Sequence, residues 1–535
     1  MSAGICALLV PALLLVFAGG ARPSETLARV KFGLKVPGGN TNAVDISLRF
    51  NLESGKKALV KPSAKPVQTG GDSLAPACEL LSRPVPEYQV EPLEAPATGW
   101  SVTGVKGGEV SIDYRVTLPH PTGHTSASEG GDGYVSDVWV VEPGLGLLAG
   151  STAFMCPRDA ESGSYLADDY ALEIEMAGGE KALVPFAADG ESFTVARTRE
   201  LLENYVCWGK LAVSGAGVRG TEVSVGFAGG FMKLSGDERK KYAEGLSSLF
   251  DGAAGVLGAR PGLERLAALV DDAGRLGLDG SASSTLLGSV LLFQQGERTL
   301  EGDRSVVASR GLFDLWNRWS MVPASEGEAF WFQAGLPGVY GDRLAVRAGF
   351  EEAGRAYGSF ARLYAAYLAD PRSKSLSLTE AWERGDMEFV TRKSTVLCAA
   401  IDKRLRDLTD GSKDIDWLTG QVAAAFDHFE GHDYTLVDIE ELLENATGKS
   451  WARFFDEGVR GTGIIYASEF SSTQLFGPAS AAGKPLSESG SGKGWILLAV
   501  AIVVILMIPL VFSTYVNRSV KLDLTMPKIL PDDDD

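Results

Sequence analysis

Between residues 26 and 230, apolar and polar positions alternate with a period of two. Val30, Phe32, Leu34 and Val36 are spaced by Lys31, Gly33 and Lys35, and Val44, Ile46, Leu48 and Phe50 by Asp45, Ser47 and Arg49. Val110, Ile112, Tyr114 and Val116 repeat the pattern, as do Leu172, Ile174 and Met176, then Val223, Val225 and Phe227. Successive side chains of a strand point to opposite faces. Such runs, broken by Gly, Pro and Asp-rich turns, predict half-buried strands of an antiparallel sandwich or sheet pair. Residues 119–135 (PHPTGHTSASEGGDGYV) predict a long loop.

From about residue 235 the period becomes helical. Ser235-Gly-Asp-Glu238 has the spacing of a capping box, and Tyr242, Leu246, Leu249 and Phe250 then recur on one face. Leu263, Leu266, Leu269 and Val270 predict a second helix, and Tyr357, Phe360, Tyr364 and Leu368 another, ending before Pro371. Val396, Ile401, Leu405 and Leu408 continue the series, with Gly411 beyond. Thr435-Leu-Val-Asp438 caps a helix carrying Ile439, Leu442, Leu443 and Ala446 and closed by Gly448. Ser450 starts a short helix with Trp451, Phe454 and Phe455. The second half is predicted to be mostly α.

Both ends carry a different pattern. Residues 5–18 form an apolar run followed by Gly-Gly-Ala-Arg-Pro-Ser-Glu, the layout of a secretory signal over residues 1–21; a cleaved signal and an uncleaved anchor both fit. Trp495 to Val516 contains no charge over 22 residues, about 33 Å of helix and enough to cross a bilayer. Trp495 and Tyr515 stand at its edges, where aromatic rings favour the interface. Arg518, Lys521 and Lys528 follow the span, against Lys484 and Lys493 before it, which orients the bulk outside the cytoplasm. The predicted organisation is a signal at 1–21, a β-domain at 22–234 and a helical domain at 235–476. A flexible Gly/Ser tether at 477–494, a transmembrane helix at 495–516 and a short cytoplasmic tail at 517–535 complete it.

Composition narrows the chemistry. The 535 residues carry a net charge of −19, and no segment concentrates Lys and Arg, which excludes nucleic acid as a partner. There are five Cys and four His, with no CxxC pair, so a zinc ribbon is excluded. Cys78, Cys156, Cys207 and Cys398 remain after signal removal, and buried thiols and one or two disulfides both stay open. His428-Phe-Glu-Gly-His432 has the i, i+4 spacing of a zinc pair on a helix, but Gly431 interrupts it and an exposed helix end is the simpler reading. His120 and His124 flank Pro121 and Gly123 in a loop. Gly335-Leu-Pro-Gly-Val-Tyr-Gly341 is glycine-rich, yet no Lys-Ser/Thr follows to make a phosphate loop.

The stretch Gly431-His-Asp-Tyr-Thr through Val459-Arg-Gly-Thr462 resembles the end of the catalytic domain of glycyl aminopeptidase-like metallopeptidases, with their GYT…ED…L…G…L..FF..YVRGT pattern. Phe313-Asp-Leu-Trp-Asn317 is similar to the end of that family's zinc-binding HExFHLWN. Phe330-Trp-Phe-Gln-Ala-Gly335 is similar to its LWFSEG, and Val339 to Gly349 to its YYEDLLLLRAG. The resemblance covers about residues 170–475. It implies an α+β multidomain protein, with an N-terminal β-sandwich or sheet domain followed by a mostly α thermolysin-like domain, here with one C-terminal transmembrane helix.

The resemblance places the family's zinc-binding HExxH on Arg310, Gly311, Leu312, Phe313 and Asp314, its third ligand on Ala334, and its YYxKG on Val390-Thr391-Arg-Lys-Ser394. The GGLEH motif falls near Leu278–Ala282. Two His one turn apart, a Glu base and a third ligand are what zinc and its activated water require. Every one of these groups is replaced. The expectation is a membrane-anchored, catalytically inactive metallopeptidase-like protein, without metal or cofactor, acting as an extracytoplasmic binding or scaffold protein. A peptide or protein in the former cleft is the expected ligand. The alternatives are an active membrane-bound aminopeptidase or hydrolase with a displaced site, and a purely structural envelope protein.

Overall fold

The alternating segments form the strands they predict. In the computed structural model, β1 (Val30–Lys35), β2 (Ala43–Leu52), β3 (Gly108–Thr117) and β4 (Tyr170–Ile174) occupy the centre of a seven-stranded sheet in the order β4-β1-β2-β3. β1 pairs antiparallel with β2 but parallel with β4, Val30 lying opposite Tyr170. Phe32, Ile46, Leu48, Ile112 and Tyr114 point to one face and share a core with Ala58, Val60, Trp100 and Val102 of a facing four-stranded sheet. The expected sheet pair is therefore present, with one parallel contact in it. Met176 falls just past the end of β4.

Residues 30–466 are described, apart from 36–42, 63–76, 83–84, 95–97, 119–137, 190–191, 259–262, 325–327 and positions 143, 168, 177 and 297. The signal, the loop with His120 and His124, the tether, the 495–516 span and the tail lie outside them. Among the described residues no helix is long and apolar enough to cross a membrane.

A second sheet carries the helical half. Its strands β5 (Ala212–Val218), β6 (Thr221–Phe227), β7 (Arg265–Asp272), β8 (Ala282–Leu286) and β9 (Ser289–Gln294) run in the order β5-β6-β7-β9-β8, with β6, β7 and β9 parallel. The segment predicted as a helix over Leu263–Val270 is thus strand β7. The reason is burial on both faces. Leu266, Ala268 and Val270 belong to the core beneath the helices, whereas Ala267 and Leu269 pack on the opposite side with Leu145, Leu147, Tyr205 and Cys207 of a further small sheet. A strand covered on both sides has no polar alternation to betray it.

Helix α1 (Gly236–Leu257) crosses from β6 to β7. It opens on the predicted capping box: Ser235 Oγ accepts from the Glu238 N–H, and Glu238 accepts from the Ser235 N–H at 2.7 Å. Then follow α2 (Asp303–Asn317), α3 (Phe330–Arg347), α4 (Ala353–Ala369), α5 (Met387–Leu408), α6 (Ile415–Ala425) and α7 (Leu436–Thr447). The cap at Thr435 and the left-handed Gly448 at the end of α7 are as the sequence predicts. Cys78, Cys156, Cys207 and Cys398 form no disulfide and are spread over three cores. Cys398 is among the helices, Cys207 between sheets, and Cys78 and Cys156 in the N-terminal core.

Candidate functional site

Helices α2 and α3 lie side by side in antiparallel sense, and a proline sets how they join. Pro337 sits inside α3, so it offers no N–H to the carbonyl of Gln333, four residues earlier. Asn317 at the end of α2 fills that vacancy: its Nδ2 donates to the Gln333 carbonyl at 2.8 Å. Gln333 Nε2 returns a bond to the Asn317 carbonyl at 2.7 Å. The Trp-Asn and Trp-Phe-Gln segments singled out in the sequence are therefore the two halves of one helix joint. Phe313 of α2 stacks on Tyr340 of α3 with ring centroids 4.3 Å apart.

The glycine-rich run is the other half of this packing, and it is helical rather than a loop. A β-carbon on Gly335 would stand 2.4 Å from the Ser394 carbonyl oxygen of α5, and one on Gly338 2.3 Å from Thr395 Oγ1. One on Gly341 would meet the Arg310 side chain of α2 at 2.6 Å. Small residues along one stripe of α3 let α2 and α5 approach it on either side.

The positions named by the sequence resemblance fall into two sets. Arg310 lies along α2, its stem against the Gly341 backbone. Gly311 turns to the sheet: a β-carbon there would come within 3.2 Å of Ser283 Oγ on β8 and Val290 on β9, while its carbonyl accepts from Thr285 Oγ1 at 2.8 Å. Asp314 is buried and accepts from Arg318 Nε at 3.0 Å and from Asn317 Nδ2 at 3.2 Å. Ala334 packs half-buried against the helical core. Val390, by comparison, is fully inside that core, and Thr391 is half-buried with its carbonyl accepting from Thr395 Oγ1. Arg310, Gly311, Asp314 and Ala334 thus share the α2–α3 layer, and Val390 does not open onto any cleft. Lys393, two residues beyond Thr391, is buried, and burial pushes its ammonium down to about 8; its Nζ donates to the Gly461 carbonyl at 3.3 Å.

The His428/His432 spacing does not become a helix face. His428 to Glu430 form a short 3₁₀ turn, and His428 Nδ1 is hydrogen-bonded to Asp433 Oδ1 at 2.6 Å, while His432 is exposed. The left-handed Gly431 (φ +79°) ends the turn, which is why the i, i+4 register is lost. Among the described residues no group of three His, Cys, Asp or Glu side chains is placed to hold a metal ion.

What the fold builds here instead is a cavity of about 390 Å³ between α2, α3, α4 and α5. Arg310 and Asp342 line it from α2 and α3, Arg362 from α4, and Glu388 and Arg392 from α5. Burial pushes the Asp342 carboxyl up to about 6, with the nearby Arg310 guanidinium pulling the other way. Arg392 is held by Asp370 at 3.0 Å and by Glu388 of its own helix. Arg310 was reached from the sequence, but Asp342 was not. An Asp beside an Arg in a helix gives no signal of a cavity until the helices are placed.

No protein-family profile matches the sequence, and no curated protein matches it. Solved structures do. An aminopeptidase N family protein from Idiomarina loihiensis superposes with a TM-score of 0.64 at 12% identity, over 82% of this chain and 77% of that one. A zinc metallopeptidase of the M1 family from Deinococcus radiodurans gives 0.49 at 13% identity, over 83% and 96%. A leukotriene A4 hydrolase from Saccharomyces cerevisiae gives 0.47 at 12% identity, over 82% and 68%. The fold assignment rests on the first of these. The chain has the mixed α+β fold of that protein, with sheets first and helices after; at such identity the likeness is of fold alone.

Proposed function

We propose that this chain is a membrane-anchored protein in which an aminopeptidase-like fold binds a ligand outside the cytoplasm without cleaving it. The observation that carries the reading is the state of the α2–α3 layer. At the positions that the sequence resemblance gives to zinc ligands and base stand a cation (Arg310), a glycine against the sheet (Gly311), a carboxylate committed to Arg318 and Asn317 (Asp314), and a methyl group (Ala334). Zinc needs imidazole, thiolate or carboxylate donors converging on one point. Asp314 is the only ligand-type side chain of the four, and its oxygens are already taken up by hydrogen bonds. These residues do not fit the metal.

Attachment to the membrane is proposed from the uncharged Trp495–Val516 segment. The basic residues that follow it, with the apolar leader at residues 5–18, support an orientation with the bulk on the extracytoplasmic side. The test is turnover. The purified full-length chain is expected to release no arylamine from leucine, alanine or glycine p-nitroanilide, with or without added zinc. Hydrolysis that a chelator abolishes would overturn the reading and restore the active-enzyme alternative.

A further inference from the structure

We infer that the cavity between the second half of α5 and the turn that follows Phe455 is a seat for a carboxylate on a short hydrocarbon body, with Arg404 as its counter-ion. The cavity is separate from the α2–α3 layer: Arg404 stands about four turns, or about 21 Å, along α5 from Val390. The inference goes beyond the reading above and does not depend on it.

The cavity holds about 290 Å³, at the lower edge of small-ligand sites. Leu397 and Arg404 of α5 form one wall, and Arg453 and Phe454 of the short helix Ala452–Phe455 form another. Glu457 and the bare backbone of Gly458 and Gly463 continue it, and Ile464 and Ile465 close it. Three lining residues are charged, and two of them are committed to each other. Arg453 Nε donates to Glu457 Oε1 at 2.7 Å, and both side chains are exposed, so this pair sits at the rim and carries no net charge. Arg404 is the charge left over.

Arg404 is half-buried, and among the described residues it has no hydrogen bond or ion pair. Aromatic rings hold it instead. Its guanidinium carbon lies 4.8 Å from the ring centroid of the buried Trp451 and 5.2 Å from that of Phe454. Ring faces take up part of the positive charge and restrain the guanidinium, but they supply no carbonyl or carboxylate to its N–H groups. A pre-oriented fork of donors matches a carboxylate, which it holds through two parallel bonds. Leu397, Phe454, Ile464 and Ile465 line the same recess with hydrocarbon, so the complementary ligand carries an apolar body beside its anion. The far wall is fixed before any ligand arrives. The Ile465 N–H donates to the Tyr367 hydroxyl at 3.2 Å, and the Tyr364 hydroxyl donates to the Ile465 carbonyl at 3.1 Å. Such pre-organisation lowers the cost of ordering a site on binding.

The experiment is a calorimetric titration of the full-length chain in detergent at pH 7.5. The probes are isovalerate, the uncharged isoamyl alcohol, inorganic phosphate, and the dipeptide acetyl-Ala-Leu as its free acid and as its amide. Isovalerate is expected to bind saturably, and the alcohol at least roughly tenfold more weakly. Arg404→Met, which keeps an apolar stem against Trp451, is expected to lose roughly tenfold or more in isovalerate affinity. Arg404→Lys, which keeps the charge without the planar fork, is expected to lose less. Thermal melting shows whether each variant is folded, and the contrast between acid and alcohol in the parent needs no variant. Binding of isovalerate alone supports a seat for free carboxylic acids. Binding of the dipeptide acid in preference to its amide supports the same seat with a peptide C-terminus as the source. Equal binding of isovalerate and alcohol, no binding by either acid, or phosphate binding as tight as isovalerate would overturn the inference. A folded Arg404→Met variant that binds like the parent would overturn it as well. Arylamide turnover bears on the non-catalytic reading alone, so the two proposals fail separately.

Discussion

Replacing Arg343 by Met is expected to destabilise the protein by about 3–5 kcal/mol, read as a lowered midpoint in urea at neutral pH. The guanidinium is fully buried in α3 and faces three carboxylates: Asp414 at 2.7 Å, Asp416 at 2.9 Å and Asp402 at 3.6 Å. These acids are also structural. Asp414 caps α6 by accepting from the Trp417 N–H, and Asp402 accepts from the Ile415 N–H at 2.9 Å, tying α5 to the start of α6. Asp416 accepts from the Tyr340 hydroxyl at 2.9 Å. Arg406 and Arg347 supply further positive charge from the rim.

Removal of Arg343 leaves three acids with two peripheral cations, and Asp402 has almost no access to water. Stranding a buried charge costs far more than the net worth of the pair. The exposed Arg453–Glu457 pair on the surface is the internal control, and Arg453→Ala there is expected to leave the urea midpoint close to that of the parent. A similar small loss for Arg343→Met would show that the buried network is not what joins α3, α5 and α6.

The second large effect is expected at Gly335. An added methyl would lie 2.4 Å from the Ser394 carbonyl oxygen and 2.8 Å from Cys398 Sγ. Both belong to the fully buried centre of α5, so neither can swing away as a surface side chain would. Overpacking of this kind costs about 1–3 kcal/mol and sometimes more. The higher helix propensity of Ala offsets about 1 kcal/mol of it. Gly335→Ala is therefore expected to lose about 2 kcal/mol net. Gly341→Ala, which meets only the flexible Arg310 side chain, is expected to lose less. Thermal melting of the two variants side by side checks the order. A Gly335→Ala protein as stable as its parent would mean that α3 and α5 are not in van der Waals contact at this point.

The sequence made the local rules visible and the long-range ones not. Capping boxes at Ser235 and Thr435 were legible because every participant lies within three residues. The half-buried strands β1, β2 and β3 were legible because water on one face imposes alternation. Strand β7 was misread because both of its faces are covered, so the polar alternation that marks a half-buried strand is missing.

 The spacing of Leu266, Leu269 and Val270 suits either element once the alternation is gone. The α2–α3 layer was legible from Arg310, Gly311, Asp314 and Ala334, which the structure places together. Val390 was not, since its side chain turns into the core. Nor did sequence spacing reveal Asp342 or the acids around Arg343, because they come from elements far apart in the chain and meet only through packing.

The measurement that tests the central claim most directly is the metal content of the purified full-length chain, determined by mass spectrometry after expression in zinc-supplemented medium. The account predicts no stoichiometric zinc, because Arg310, Gly311, Asp314 and Ala334 offer no convergent donor set. One tightly held zinc per chain would contradict it and would require a metal site elsewhere in the molecule.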